Sequence, residues 1–210
     1  METSCVVQIF GIQIKYRPDW RVIPDHAYSL NYDSGLFRFE ENVAEQRSHI
    51  SFGLRWECSD TDNVSFLQEF SDNIEAEYRK AIKGKSRQFE ILRNEEVHNP
   101  QGIPMRLIET RYKATQSLVN NPKKMQRLHS CNAAFYCERT HRMVAASLVT
   151  TPQYMEENRE MLVDLLLSVQ TQPIFPPEDE SARMEKRAQM CQSGEQKGMF
   201  SKLFKCKTAI

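Results

Sequence analysis

His129 and Cys131 stand two residues apart in the stretch MQRLHSCNAAFYCE (125–138). An imidazole beside a thiol is the pairing that makes a cysteine nucleophile, because the ring takes the proton as the sulfur attacks. The stretch reads as one strand, in which residues i and i+2 share a face and lie about 6.6 Å apart along it. A proton transfer needs hydrogen-bond reach, about 2.6–3.2 Å. The spacing therefore predicts that the pair does no chemistry: His129 sits at a strand end near solvent, and Cys131 packs. Elsewhere the chain has no G-x-S-x-G, no P-loop, no G-x-G-x-x-G and no H-E-x-x-H. Its seven glycines are scattered, so no loop is built to cradle a phosphate. No catalytic residue is assigned.

Metal chemistry is disfavoured by the same geometry. The six cysteines are Cys5, Cys58, Cys131, Cys137, Cys191 and Cys206, with no C-x-x-C and no H-x-x-x-H pair among the metal-ligating residues. Cys131 and Cys137 would lie about 20 Å apart along a strand, whereas two thiolates on one zinc sit about 2.3 Å from the ion. Sharing parity with Ala133 and Phe135, they read as small core residues. Trp20 and Trp56 read as packing residues, and Asp19 as part of a turn. No metal ligand and no cofactor is expected.

Charge is the other source of chemistry. Lys and Arg number 28, as do Asp and Glu, so the chain lacks the clearly basic character of a nucleic-acid binder. The balance is uneven, however. Residues 192–210 hold four Lys against one Glu, a net +3, and the remainder carries −3. Within GMFSKLFKCKTAI (198–210), a helix would set Phe200, Leu203 and Phe204 on one side, flanked by Met199 and Cys206. Lys202, Lys205 and Lys207 would be free to meet negative charge. Such a tail suits an anionic membrane surface or a groove on a partner protein; otherwise it packs back onto its own domain or stays disordered. A second basic group, Arg106, Arg111, Lys113, Lys123, Lys124 and Arg127, gathers around the 114–125 hairpin. It forms either a contact for an acidic partner or a solvated rim.

The elements that position these residues follow from periodicity. VVQIFGIQIKY (6–16) is strand-like on both sides of Gly11, and further strands fall at LFRFE (36–40) and HISFGLRWEC (49–58). In the last, Ile50, Phe52, Leu54 and Trp56 alternate with polar or small residues, the pattern of a half-buried strand. SDTDN (59–63) offers helix caps. After it Val64, Leu67, Phe70, Ile74, Tyr78 and Ala81 recur at spacings of three and four, an amphipathic helix ending near Gly84. Strands return at 88–92, 105–114, 125–138 and 143–150, with connections too short for parallel crossovers. Thr151 caps a second helix with Pro152 at its first position; its stripe is Tyr154, Met161, Leu162, Leu165, Leu166 and Val169.

From Pro173 the character changes: PIFPPEDE cannot continue that helix, ESARMEKRAQM is charged nearly all round, and QSGEQKG reads as a polar linker. A domain over 1–172 followed by an extension over 173–210 is expected. The fold class is α+β, an antiparallel sheet of about six or seven strands packed with two main helices, plus the C-terminal extension.

That order resembles the PsbP-like/DcrB-like family. The likeness is carried by FGIQIKYRPDWRV near the start, where the family has a strand, a Tyr-x-Pro turn and a Trp, and by MVAASLVTTPQYMEENREMLVDLLLSV near the end, its last strand, short turn and final helix. It covers residues 5–172, with diffuse motifs, and leaves 173–210 without a counterpart. The family's fold also occurs in a small nuclear import factor that binds the GTPase Ran. Its members are mostly non-enzymatic: photosystem accessory subunits, lipoproteins, import factors and Eag-type chaperones. The first two groups are usually exported; METSCVVQIFGIQIKY lacks a basic leader and a long apolar run, so the cytosol is the expected compartment.

The resemblance implies a non-catalytic intracellular protein-binding module, an adaptor or chaperone for a partner protein, with the open sheet face and the tail as contact surfaces. A peripheral membrane protein anchored by the tail is the alternative, and an enzyme with an unrecognised site the third reading.

Overall fold

The computed structural model describes residues 4–24, 30–41, 50–82, 89–114 and 126–192. Strands β1 (Cys5–Ile9) and β2 (Ile12–Tyr16) form a hairpin, followed by β3 (Trp20–Pro24), β4 (Ser34–Glu41) and β5 (Ile50–Cys58). Helix α1 (Asn63–Ile82) leads to the meander β6 (Phe89–His98), β7 (Pro104–Ala114), β8 (Gln126–Cys137) and β9 (Arg142–Thr150). Helix α2 (Pro152–Leu167), the short β10 (Gln170–Thr171) and helix α3 (Pro177–Gln192) complete the order. The fold is α+β: a seven-stranded antiparallel sheet, β3-β4-β5-β9-β8-β7-β6, and a three-stranded sheet, β1-β2-β10.

The two helices α1 and α2 lie on opposite faces of the large sheet, because successive strand residues point to opposite sides. Along β8, Cys131, Ala133, Phe135 and Cys137 join the main core with Leu162, Leu165 and Leu166 of α2. The intervening Ala134 and Tyr136 pack under Phe66, Leu67, Phe70 and Ile74 of α1. Ile50, Phe52, Leu54 and Trp56 line the main core as their alternation requires, and Trp20 is buried with them. The side chains of Tyr78 and Ala81, the end of the expected α1 stripe, lie outside the described residues.

Capping fixes both helix starts. Asp62 accepts from the Ser65 backbone N–H at 2.8 Å, and Thr151 accepts from that of Tyr154 at 3.3 Å, each satisfying an otherwise orphaned donor. Asn63 clips α1 to the sheet, donating to the Pro104 carbonyl and accepting from the Tyr136 N–H. The α2 stripe is offset slightly from its expected phase: Met155, Leu162, Leu165 and Leu166 are buried, while Tyr154 and Met161 are half-buried. The helix kinks at Asn158, whose side chain donates to the Tyr154 carbonyl at 3.0 Å, since an Asn bonded to residue i−4 competes with the helical ladder.

Helix α3 falls where its all-round charge gives no amphipathic signal. Pro177 opens it and Glu178, Asp179 and Glu180 occupy its first turn, where the fixed φ of Pro and the helix dipole favour them. Among the described residues no helix is long and apolar enough to cross a membrane.

Candidate functional site

Four places gather chemistry-bearing side chains: a buried ionic cluster under α2, a basic cavity beside it, the sheet face beyond α1, and the seat of α3 on Tyr32. The first was invisible as a motif. Glu109 of β7 and His129 of β8 are each 1% exposed. His129 does not lie near solvent, as its place at a strand end suggests; flanking strands and α2 enclose it. Its Nε2 meets Glu109 Oε1 at 2.6 Å. Arg159 of α2 closes the cluster from outside, donating to Oε1 at 2.7 Å and to Oε2 at 2.5 Å. Burial works against the Glu109 carboxylate, but the hydrogen bonds from His129 and Arg159 and the Arg159 charge outweigh it, holding the carboxyl down at about 2.

Cys131 packs as expected, fully buried. Burial first, and the Glu109 charge second, push its thiol up to about 12. A nucleophile needs a thiolate, and the imidazole that could produce one is engaged by Glu109. The arrangement is therefore a clamp between sheet and helix, its carboxylate buried and held by His129 from within and by the half-exposed Arg159 from outside. Cys5, Cys58 and Cys137 are likewise free thiols, and Trp20 and Trp56 are core residues.

The basic rim divides. Arg111, Lys113 and Arg127 do converge, lining a cavity of about 80 Å³ with Glu90 and Tyr112. Lys113 stands directly opposite Arg127 in the β7–β8 ladder. Lys123 and Lys124 lie outside the described residues. Arg106 does not belong to this group: its even number turns it to the α1 face, where it lines a separate cavity with Asn63, Val64, Leu67, Glu96 and Pro104. The tail residues Met199, Phe200, Lys202, Leu203, Phe204, Lys205 and Lys207 also lie outside the described residues.

On the α1 side, that helix packs against β6, β7 and β8. The neighbouring strands present small and polar side chains: Ser51 and Gly53 on β5, Ala145, Ser147 and Val149 on β9, all half-buried. Arg55 pairs with Glu57 at 3.1 Å on this face, and Ser147 donates to Asn132 at 2.5 Å.

Just before β4, Tyr32 receives α3. Its hydroxyl donates to Glu180 at 3.0 Å, and the guanidinium groups of Arg142 and Arg183 lie 4.2 and 4.3 Å from its ring centre. Arg183 also meets Asp33 at 2.5 Å. Sequence reasoning missed this cluster and the ionic clamp because their members are far apart in the chain, with separations of 20 and 50 residues around Glu109 and 148 between Tyr32 and Glu180.

No family model and no curated protein matches the sequence. Solved structures do. Cyanobacterial PsbP from Synechocystis aligns over 82% of this chain and 94% of its own, at 10% identity and a TM-score of 0.53. The Ran-binding protein Mog1p of Saccharomyces cerevisiae aligns over 81% of this chain and 96% of its own, at 12% identity and a TM-score of 0.50. At such identities the likeness concerns the backbone, and the chain has the fold that PsbP and Mog1p share.

Proposed function

We propose that this chain is a non-catalytic protein-binding module, an adaptor or chaperone that receives a partner on the large sheet. The observation that carries this reading is the uneven cover of the α1 face. Part of it lies beneath α1, whose core cluster also takes in Ala145, while β5 and β9 leave Ser51, Gly53, Ser147 and Val149 only half-buried, bordered by the Arg55–Glu57 pair. Small side chains let another backbone or helix approach closely, and the charged border supplies register. The buried clamp fits a structural role, since its carboxylate is saturated and its neighbouring thiol protonated. The name of yeast Mog1p as a Ran-binding protein adds that this fold serves protein recognition elsewhere; a fold hosts many functions, so the support is by analogy.

The test compares three chains in lysate capture: wild type, a chain ending at Cys191, and the Ser51→Glu/Val149→Arg double variant, with its folding checked by circular dichroism. A sheet-face adaptor keeps its partner when the tail is removed and loses it in the double variant. The reverse outcome, joined to flotation of only the full-length chain on anionic liposomes, would replace this reading with a peripheral protein anchored by residues 199–207.

A further inference from the structure

The cavity between the ends of β7 and β8 is built from charges that do not neutralise one another. Among the described residues, Arg111, Lys113 and Arg127 line it against the single carboxylate of Glu90, a surplus of two positive charges. Lys113 and Arg127 are direct cross-strand partners, an arrangement that costs stability when like charges face each other. Among the described residues neither has an ion pair. Arg111 reaches only the exposed Glu156, at 3.8 Å, and its Nε is buried without a hydrogen-bond partner. A water requires about 10–15 Å³; the cavity, at about 80 Å³, has room for a carboxylate or a phosphoryl group.

We propose that this cavity is the anchor point for an acidic segment of a partner protein, with a Glu or Asp carboxylate seated between Arg111, Lys113 and Arg127. The inference rests on the protein-binding reading and adds the chemistry of what is bound. A repulsive pair costs nothing in a complex where a carboxylate bridges it, so the same residues that weaken the free ladder favour the occupied one. The planar guanidinium of Arg111 can hold a carboxylate by two parallel hydrogen bonds, with Lys113 as an added point charge. The chain's own tail cannot serve, because its net charge is +3. The three cations lie on the α2 side of the sheet and the flat Ser51–Val149 area on the α1 side, so a partner engaging both must pass around an edge, as an extended acidic segment can.

Fluorescence anisotropy with a labelled oligoglutamate peptide tests this on the full chain, with inorganic phosphate as the competing probe. The expected result is saturable binding that weakens as salt rises, since screening shortens the reach of exposed charges to about 8 Å at physiological strength. The Lys113→Ala/Arg127→Ala variant should lose affinity at least about tenfold, and Glu90→Gln should gain. Peptide binding that is unchanged in the double variant, or absent, overturns the proposal. Displacement of the peptide by equimolar phosphate overturns it too, by making the cavity a small-anion site. Because the assay contains no natural partner, its failure leaves the sheet-face reading to be judged by its own variants.

Discussion

Glu109 and His129 are joined by a 2.6 Å hydrogen bond although they are not ladder partners. Glu109 is opposite Cys131, and His129 is opposite Arg111. The imidazole thus turns diagonally, away from a guanidinium and toward a carboxylate, and so leaves Cys131 without a base. The carboxylate that receives it is held from the other side by Arg159, which closes the clamp.

The clamp should set the acid limit of stability. The Glu109 carboxyl lies near 2 in the folded protein against 4.5 ordinarily. A depressed carboxyl contributes stability that is complete above the unfolded value and disappears as pH falls through the folded one. Wild type should therefore lose stability between about pH 4.5 and about 2. Glu109→Gln should cost about 1–3 kcal/mol at neutral pH, because it removes the charged acceptor that His129 and the half-exposed Arg159 share, and its pH profile should flatten in that window. Urea midpoints across the range check both.

Thiol labelling should follow burial. Cys131 is fully buried, with its thiol raised to about 12, and Cys58 and Cys137 are also buried, whereas Cys5 is half-exposed. Iodoacetamide at pH 8 should modify Cys5 in the native protein and spare the other three until denaturant is added. Peptide mass spectrometry reads each site separately. Native modification of Cys131 at the rate of Cys5 would mean that the His129–Glu109 clamp opens.

Much of this fold is legible because its strongest determinants are local. Ile50, Phe52, Leu54 and Trp56 announce β5 by alternation, and the caps at Asp62 and Thr151 start both main helices where their side chains predict. The site is less legible. Arg106 and Arg111 look equivalent in a list of cations, yet their parity sends them to opposite faces, and only the ladder reveals it. His129 reads as exposed because distance from a strand end says nothing of a helix laid across it. The attachment of α3 is carried by Glu180 and Arg183, charged residues in a segment with no apolar stripe, so periodicity is silent about it.

Gly35 is a position at which the core leaves no room for a side chain. It pairs with Trp56 across β4 and β5, and a Cβ there would lie 2.1 Å from the Trp56 ring. The ring has nowhere to go, being 1% exposed, stacked at 5.8 Å on Phe37 and holding the Asn31 carbonyl through its indole N–H. Gly35→Ala should destabilise by about 1–3 kcal/mol, the usual cost of overpacking. Trp56 emission should shift as the ring is displaced. An unchanged melting temperature and spectrum would show that the ladder can slide to make room.

Helix α3 should be released by the loss of one oxygen. Tyr32 presents its ring to Arg142 and Arg183 and its hydroxyl to Glu180, which is only 6% exposed. Burial raises that hydroxyl to about 12, so it donates throughout the ordinary pH range. Tyr32→Phe keeps the ring contacts and strands the Glu180 carboxylate, at a cost of about 1–3 kcal/mol. That penalty falls on the attachment of α3 rather than on the sheet. Amides in the first turns of α3 should then exchange with deuterium about tenfold faster, or more, while those of β8 and β9 keep their wild-type rates. Adding Glu180→Ala to Tyr32→Phe should recover part of the loss, because the stranded charge is removed with its partner. If exchange in α3 stays unchanged in Tyr32→Phe, the helix is held by Arg183, through Asp33 and the Phe175 ring, and the Tyr32–Glu180 bond is incidental to it.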